Sequence, residues 1–370
     1  MKQNRREWLK SSLGIGGLIL APTTFLSTKE AEYFNQRVYN SPIKLSSNEN
    51  PYGPSKKVLE RIREAFDHGC RYPYSYADEL SEILAKKHSV DPESIIITGG
   101  STEGLRIAGV TFSRDGGEII AGMPTFLALM EYAQKWGANI NWVPVASDMG
   151  YDLDEIEKRI SRKTKLVFLC NPNNPTGTIV AKDKLKDFCS VVSKKAVLFS
   201  DEAYYEFIEE SNYPSMVDLI KKGHNVIVSK TFSKVYGMAG LRIGYLIAKP
   251  DLAKKIRENV VAMSNVLAIE GAKEALNDKE FFEFSLEKTK QVKESIYKTF
   301  DHIGLKYVKS HTNFVFFKSG IDIRKLGPKM LEKGVRIGRP FPPFYDWCRI
   351  STGTSEEVNH FISSILEVYG

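Results

Sequence analysis

The sequence has 370 residues, of which 42% are hydrophobic, 26% charged and 11% aromatic, so it can form a packed core and is not that of a wholly disordered chain. The net charge of +7 is scattered in mixed sign, which excludes a concentrated nucleic-acid-binding face. The four cysteines lie far apart without a C-x-x-C pair, and they indicate neither a disulfide scaffold nor a metal site. This length predicts about two domains.

The N-terminus carries an arginine pair, Arg5 and Arg6, followed by Glu-Trp-Leu-Lys and an apolar run from Leu13 to Leu20. This order resembles a twin-arginine export signal, and the run is shorter than the ~20 residues of a membrane span. We predict an export signal at residues 1–28 and a periplasmic protein. If the segment is only a basic arm, the protein stays in the cytoplasm. No clear cleavage site follows, which leaves an uncleaved anchor open.

Seven short β-rich runs alternate with helical or polar segments between Ser94 and Lys249. Most are apolar throughout, as expected for strands that are covered on both faces. We therefore predict an α/β protein with a doubly wound, mostly parallel seven-stranded sheet. The runs are Ile95–Ile97, Glu118–Ala121, Ile140–Val145, Leu166–Cys170, Ala196–Ser200, Val226–Ser229 and Ile243–Ala248.

The last part of the chain has a different pattern. A charged, helix-favouring stretch from Leu252 to His302 precedes four further β-rich runs with helical sequence between and behind them. This pattern predicts a second, smaller α+β domain. The four runs are Leu305–Val308, Asn313–Phe317, Val335–Ile337 and Arg349–Ser351.

Turn motifs follow the predicted strands, and ligands bind beyond the carboxyl ends of strands in such sheets. Gly99–Gly104 follows the first strand and combines glycines with two hydroxyls at the start of a helix, which favours anion binding. By itself, a capped helix after a glycine-rich turn explains that motif as well. Asn171–Gly177 follows the fourth strand, and its two prolines form a rigid turn that can direct an asparagine side chain.

Chemically reactive groups follow the fifth and sixth strands. Asp201 and Tyr204 place a carboxylate and a phenol three residues apart. The segment Thr231–Lys234 sets an amine next to hydroxyls, with Arg242 eight residues farther on. Each motif alone is compatible with turn chemistry or a surface ion pair. Their occurrence after consecutive strands favours one shared site.

These motifs resemble the fold-type I pyridoxal-phosphate enzymes of the aminotransferase class, over about residues 43 to 369. The segments Leu45–Pro54, Arg71–Pro73 and Asn171–Gly177 resemble the histidinol-phosphate aminotransferase branch more narrowly. The resemblance implies a large α/β domain with a smaller α+β domain. The residues that carry it are Asn174, Asp201, Tyr204, Lys234, Arg242 and Arg349.

The resemblance implies a role for several side chains toward pyridoxal 5′-phosphate. Lys234 would bind the cofactor covalently and move the substrate proton. Asp201 would face the pyridine nitrogen and keep it protonated. Tyr204 and Asn174 would bond the 3′-oxygen, and Phe126 would stack on the ring, unless Phe126 is an ordinary core residue.

The resemblance also implies an anion cradle and a dimer. Tyr72 matches a tyrosine that reaches the phosphate of the neighbouring subunit, so we expect a homodimer; burial at a domain contact is the alternative. Arg349 and Arg339 match arginines that bind the substrate's anionic groups. The implied phosphate ligands are Gly100, Ser101, Thr102, Thr231, Ser233 and Arg242.

The resemblance divides the chain after the signal into three parts. We expect an arm at residues 29–73 that contributes to the small domain and the dimer contact, a large cofactor-binding domain at residues 74–270, and a small domain at residues 271–370. The chain departs from the branch in the short, aromatic segment between Arg339 and Arg349.

We predict an aminotransferase that transfers an amino group between an anionic amine or amino acid and a 2-oxo acid such as 2-oxoglutarate. The amino donor stays open, because export is unexpected for an enzyme of histidine biosynthesis. A decarboxylase or other lyase on the same scaffold is the first alternative. A non-catalytic pyridoxal-phosphate-binding protein is a remote one.

Overall fold

The computed structural model describes residues 42–114 and 116–370, all within one unit that spans Arg37–Gly370. The predicted export signal and the arm as far as residue 41 lie outside the described residues. In the described part of the chain, no helix combines the length and the apolar character that a membrane span requires.

The described residues contain twelve strands and twelve α-helices, besides four short 3₁₀-helices. The strands are β1 (Ile43–Lys44), β2 (Ile95–Thr98), β3 (Glu118–Met123), β4 (Asn139–Pro144), β5 (Thr164–Cys170), β6 (Val197–Asp201), β7 (Val226–Thr231), β8 (Gly244–Ala248), β9 (Tyr307–Val308), β10 (Phe314–Lys318), β11 (Val335–Arg336) and β12 (Trp347–Ser351). The helices are α1 (Lys56–Glu64), α2 (Tyr74–His88), α3 (Ser101–Thr111), α4 (Ala128–Lys135), α5 (Leu153–Lys158), α6 (Lys182–Lys195), α7 (Val217–Lys221), α8 (Pro250–Arg257), α9 (Val266–Asn277), α10 (Lys279–His302), α11 (Ile323–Glu332) and α12 (Ser355–Tyr369).

The central sheet has seven strands in the order β2-β8-β7-β6-β5-β3-β4. Neighbouring strands are parallel except for β8, which runs antiparallel to both β2 and β7. The predicted α/β fold with a mostly parallel seven-stranded sheet is therefore confirmed. All the predicted runs from Ile95 to Ala248 overlap these strands.

The continuous apolar sequence of β5 follows from burial on both faces of the sheet. Successive side chains alternate between two cores: Leu166 and Phe168 pack on one face, Val167 and Leu169 on the other. All four are fully buried. Because both cores need apolar partners, the strand shows no alternation with polar residues.

The parallel strands direct their carboxyl ends to one edge of the sheet. The loops after β2, β3, β5, β6 and β7 therefore start at the same edge, although β2 ends at Thr98 and β7 only at Thr231, 133 residues later. Gly244 begins β8 at that edge. A Cβ there would lie 2.8 Å from the backbone nitrogen of Ser101, so glycine permits the two segments to approach each other.

The C-terminal part contains a three-stranded antiparallel sheet in the order β12-β10-β9. A separate core joins this sheet to α10, α11 and α12. The predicted strand at Val335–Ile337 does not join that sheet, because β11 pairs with β1 near the start of the described chain. The domain boundary at residues 270 and 271 stays a prediction, and it falls inside α9, which packs on α1 and α2.

Candidate active site

A cavity of about 750 Å³ lies at the edge where β5, β6 and β7 end. Most of the predicted site residues line it, although they come from both ends of the described chain. Gly100 and Thr231 lie beside lining residues, and Tyr72 is elsewhere. The predicted residues in the lining are Ser101, Thr102, Phe126, Asn174, Asp201, Tyr204, Ser233, Lys234, Arg242, Arg339 and Arg349.

Lys234 provides the amine of the cavity. It follows β7, and its Nζ donates a hydrogen bond of 3.0 Å to the backbone oxygen of Asn48. Burial, followed by the positive charge of Arg349, lowers the pKa of Lys234 to about 8. The amine therefore becomes neutral, and nucleophilic, more readily than an exposed lysine.

Asp201 is the last residue of β6 and only 2% exposed. Its Oδ1 has no hydrogen-bond partner among the described residues. Burial raises the pKa of this carboxyl to about 7, because the ionised form loses its hydration. An unpartnered buried carboxylate oxygen in a cavity lining suits a cationic or N–H-bearing ligand.

Two amides converge on the phenol of Tyr204. The Nδ2 groups of Asn48 and Asn174 donate to its hydroxyl oxygen over 3.0 and 3.3 Å. Burial raises the pKa of Tyr204 above its ordinary value, so the phenol keeps its proton. With its oxygen accepting twice, the hydroxyl can direct that proton into the cavity.

Arg349 lies in β12 and is buried. Its Nη1 donates to Asn174 Oδ1 over 2.6 Å, and its Nη2 donates to the backbone oxygen of Ser46 over 2.7 Å. Nε has no partner among the described residues. Burial lowers the pKa of Arg349 to about 10, which still leaves it a cation at neutral pH. Arg349 is therefore a buried cation whose Nε can still donate a hydrogen bond to a ligand.

The predicted anion cradle lies where α3 begins. Gly100 precedes the helix with a φ of 86°, and a Cβ at this residue would overlap the guanidinium of Arg242. Arg242 donates to the backbone oxygen of Gly99 over 3.1 Å and lies 3.5 Å from Ser233 Oγ. The Thr231 hydroxyl donates to Ser233 over 2.9 Å. A helix N-terminus, hydroxyls and a guanidinium together suit a phosphate.

A buried network connects two loops of the cavity wall. Asn173 Oδ1 accepts hydrogen bonds of 2.8 Å from both Tyr151 and Thr125. The Nδ2 of Asn173 donates to the backbone oxygen of Pro124 over 3.1 Å. The loop that carries Phe126 is thereby fastened to the turn that carries Asn174.

Taken together, these groups fit pyridoxal phosphate, the cofactor that the sequence implies. Its phosphate matches the cradle at α3, and its ring nitrogen matches the unpartnered oxygen of Asp201. Its 3′-oxygen and aldehyde match the Tyr204 phenol and the Lys234 amine. Phe126, half-buried in the lining, offers an aromatic ring.

Tyr72 is 81% exposed and lies outside the cavity lining. Conversely, the cavity includes Ser46, Asn48, Glu49 and Arg336, to which the sequence assigned no role. Asn48 has a φ of 54°, a conformation that asparagine tolerates better than most residues. Its only sequence signal is its place in the Leu45–Pro54 motif.

Comparison with known proteins identifies the family. The aminotransferase class I and II pattern matches residues 40–365, most of the chain. The chain belongs to this family. This aminotransferase is 37% identical over 333 residues to histidinol-phosphate aminotransferase of Caldicellulosiruptor saccharolyticus, covering 88% of this chain and 91% of the relative. The Moorella thermoacetica histidinol-phosphate aminotransferase is 38% identical over 335 residues, covering 88% and 85%.

The fold agrees with a solved structure. Histidinol-phosphate aminotransferase from Sinorhizobium meliloti, in complex with pyridoxal-5′-phosphate, superposes with a TM-score of 0.83. The identity is 27%, and the match covers 89% of this aminotransferase and 91% of the solved chain. The prediction of a fold-type I aminotransferase is confirmed.

Proposed function

We propose that this protein is a pyridoxal-phosphate-dependent aminotransferase of the histidinol-phosphate type, which moves an amino group between an anionic amine donor and a 2-oxo acid. Its family and its histidinol-phosphate aminotransferase relatives bear out the predicted enzyme class and cofactor. The observation that carries the proposal is one cavity that joins the Lys234 amine, the unpartnered Asp201 oxygen and the buried Arg349 cation.

Each residue contributes through its own charge and position. When bound, pyridoxal phosphate supplies a ring that accepts the electron pair left at the substrate's Cα. Lys234, whose amine is easily neutral, takes the proton from that carbon and returns it. Asp201 holds a positive charge at the ring nitrogen. Tyr204 and Asn174 would orient the cofactor by hydrogen-bonding its 3′-oxygen.

The substrate's anionic group would bind at Arg349. The guanidinium is held by Asn174 and the Ser46 backbone, which leaves Nε free to donate to a carboxylate. Water is largely excluded around it, so a charge-assisted hydrogen bond there is strong. Arg339, which also lines the cavity and is exposed, offers a second positive charge for a doubly anionic substrate.

The chemistry is tested on the purified protein with a panel of amino donors and 2-oxoglutarate. Histidinol phosphate, aromatic amino acids and basic amino acids are compared by glutamate release. Borohydride reduction should then attach the cofactor to Lys234, with the buried neighbour Lys230 as an internal control. Carbon dioxide release without glutamate would indicate a decarboxylase instead. Label on Lys230, or no label, would contradict the assignment of Lys234.

We also propose a homodimer, because three large apolar or aromatic side chains of one stretch, Phe66, Tyr72 and Tyr74, are 62%, 81% and 63% exposed. A second copy would cover them and bring Tyr72 toward the neighbouring phosphate cradle. Sedimentation equilibrium tests this, and a monomer at micromolar concentration would contradict it.

Residues 1–28 are proposed to direct export to the periplasm, on the strength of Arg5 and Arg6 ahead of the apolar run. Replacing both arginines with lysine should retain the protein in the cytoplasm. Cell fractionation measures this, and an equal distribution of wild type and variant would contradict the proposal.

A further inference from the structure

Two arginines of the cavity share one aromatic ring. The Cζ atom of Arg339 lies 4.5 Å from the centroid of Phe341, and that of Arg349 lies 5.1 Å from it. Both distances fall within the range of a cation–π interaction, in which the electron-rich face of the ring attracts the cation. Phe341 thus contacts both the buried Arg349 of β12 and the exposed Arg339 of the cavity lining.

The ring of Phe341 is held firmly in place. It is 3% exposed and packs edge-on against Phe316, with 6.0 Å between centroids and 89° between planes. Phe316 in turn stacks on Trp347 at 5.0 Å. This small cluster also includes Met149. Because these neighbours hold the Phe341 ring in one orientation, the ring can hold the guanidinium groups of Arg339 and Arg349 in fixed positions.

Neither guanidinium forms an ion pair with a carboxylate among the described residues, although the charge of Glu131 attracts Arg339 from farther away. Arg349 donates to an amide oxygen and a backbone oxygen, and Arg339 donates only to the backbone oxygen of Pro340, over 3.0 Å. The positive charge of Arg339 also contributes to the lowered pKa of Arg349, after the larger effect of burial. The two cations therefore repel each other until an anion binds, and the ring offsets part of that repulsion.

We propose that Phe341 is a positioning residue that holds Arg339 and Arg349 at two fixed places, so that the site selects substrates with two anionic groups. This inference rests on the proposed function and deepens it. Without the ring, Arg339 would keep only its hydrogen bond to the Pro340 backbone and the weaker attraction of Glu131, while Arg349 would keep its bonds to Asn174 and Ser46. A doubly anionic ligand would then lose one of its two cations.

The test uses the cofactor-loaded protein and three substitutions. Phe341→Leu removes the aromatic face but keeps an apolar side chain. Phe341→Tyr keeps the face. Phe344→Leu is the matched control, since Phe344 lies in the same loop and cluster but has no cation over its ring in the described part of the chain.

Binding of succinate, an unreactive dicarboxylate, is measured by calorimetry and compared with propionate, which has one carboxylate. We expect Phe341→Leu to weaken succinate binding about tenfold and propionate binding much less, the size expected for a desolvated cation–π contact. KM for 2-oxoglutarate should rise about tenfold with little change in kcat. Phe341→Tyr should restore most of the affinity, and Phe344→Leu should match the wild type.

Equal succinate affinity in wild type and Phe341→Leu would overturn the proposal. So would an equal loss in Phe341→Leu and Phe344→Leu, because general loop packing would then explain it. If Phe341→Leu does not fold, Phe341→Met is tested in its place under the same expectations. Failure of the proposed function is distinguishable: the protein would then release no glutamate, while the calorimetric comparison still reports whether Phe341 positions the arginines.

Discussion

Replacing Asp201 with asparagine should stabilise the cofactor-free protein at alkaline pH. Burial raises the pKa of this carboxyl from 3.8 to about 7, so the folded protein holds its proton more tightly than the unfolded chain does. Between these two pH values the folded state binds more protons than the unfolded state. The free energy of unfolding contributed by Asp201 therefore falls as the pH rises through that window.

The size of the effect follows from the pKa difference. A difference of about three pKa units corresponds to roughly 4 kcal/mol above pH 7, since each unit is worth about 1.4 kcal/mol. An asparagine carries no charge and escapes this destabilisation. Near pH 4 the wild-type carboxyl is neutral in the folded state and only about half ionised in the unfolded chain, so the two proteins should differ by less than about 1 kcal/mol there.

Urea unfolding of the cofactor-free proteins at about pH 4 and about pH 8 measures the difference. Asp218→Asn is the matched control, because the side chain of Asp218 is 55% exposed in its ion pair with Lys221. Its unfolding free energy should stay within about 1 kcal/mol of wild type at both pH values. The reasoning is refuted if Asp201→Asn is no more stable than wild type at pH 8, or if its advantage is the same at both pH values.

Three further substitutions test the cavity. Gly100→Ala should weaken cofactor affinity at least about tenfold, because residue 100 has a positive φ and a Cβ there would overlap the Arg242 guanidinium. A fluorescence titration that finds wild-type affinity would disprove this. Tyr151→Phe should lower the free energy of unfolding by about 1 to 3 kcal/mol in urea, because it removes the 2.8 Å bond to Asn173 from a buried network; no loss would mean the network is not limiting. Lys234→Ala should abolish glutamate release, while the absorption spectrum should show that the cofactor still binds noncovalently. Residual turnover would assign the proton transfer to another group.

Most of the central sheet was predictable because its strands are local patterns. The run Leu166–Cys170, for example, is apolar throughout and is followed directly by a turn rich in asparagine and proline. Once the strands are parallel, their ends meet at one edge, and the motifs that follow them meet with them. Asp201 and Lys234 were therefore placed in one site from sequence order alone.

The partners of these residues were not predictable, because they come from distant parts of the chain. Lys234 donates to Asn48, 186 residues earlier, and Arg349 donates to Ser46, 303 residues earlier. No periodicity records such a pair, since it forms only when β12 and the segment after β1 pack over the cavity. The proposed role of Phe341 was not predictable for the same reason. The sequence showed only that the segment between Arg339 and Arg349 is more aromatic than is usual in the histidinol-phosphate branch.

The sequence by itself determined which motif follows which strand, which residues supply the amine and the carboxylate, and the family. Each of these depends only on residues that are neighbours in the chain. Only the tertiary structure decided how those groups behave. Burial in the folded cavity lowers the pKa of Lys234 to about 8 and raises that of Asp201 to about 7. The pKa of a buried group depends on how far the residues packed around it exclude water. That packing exists only after distant segments of the chain have come together.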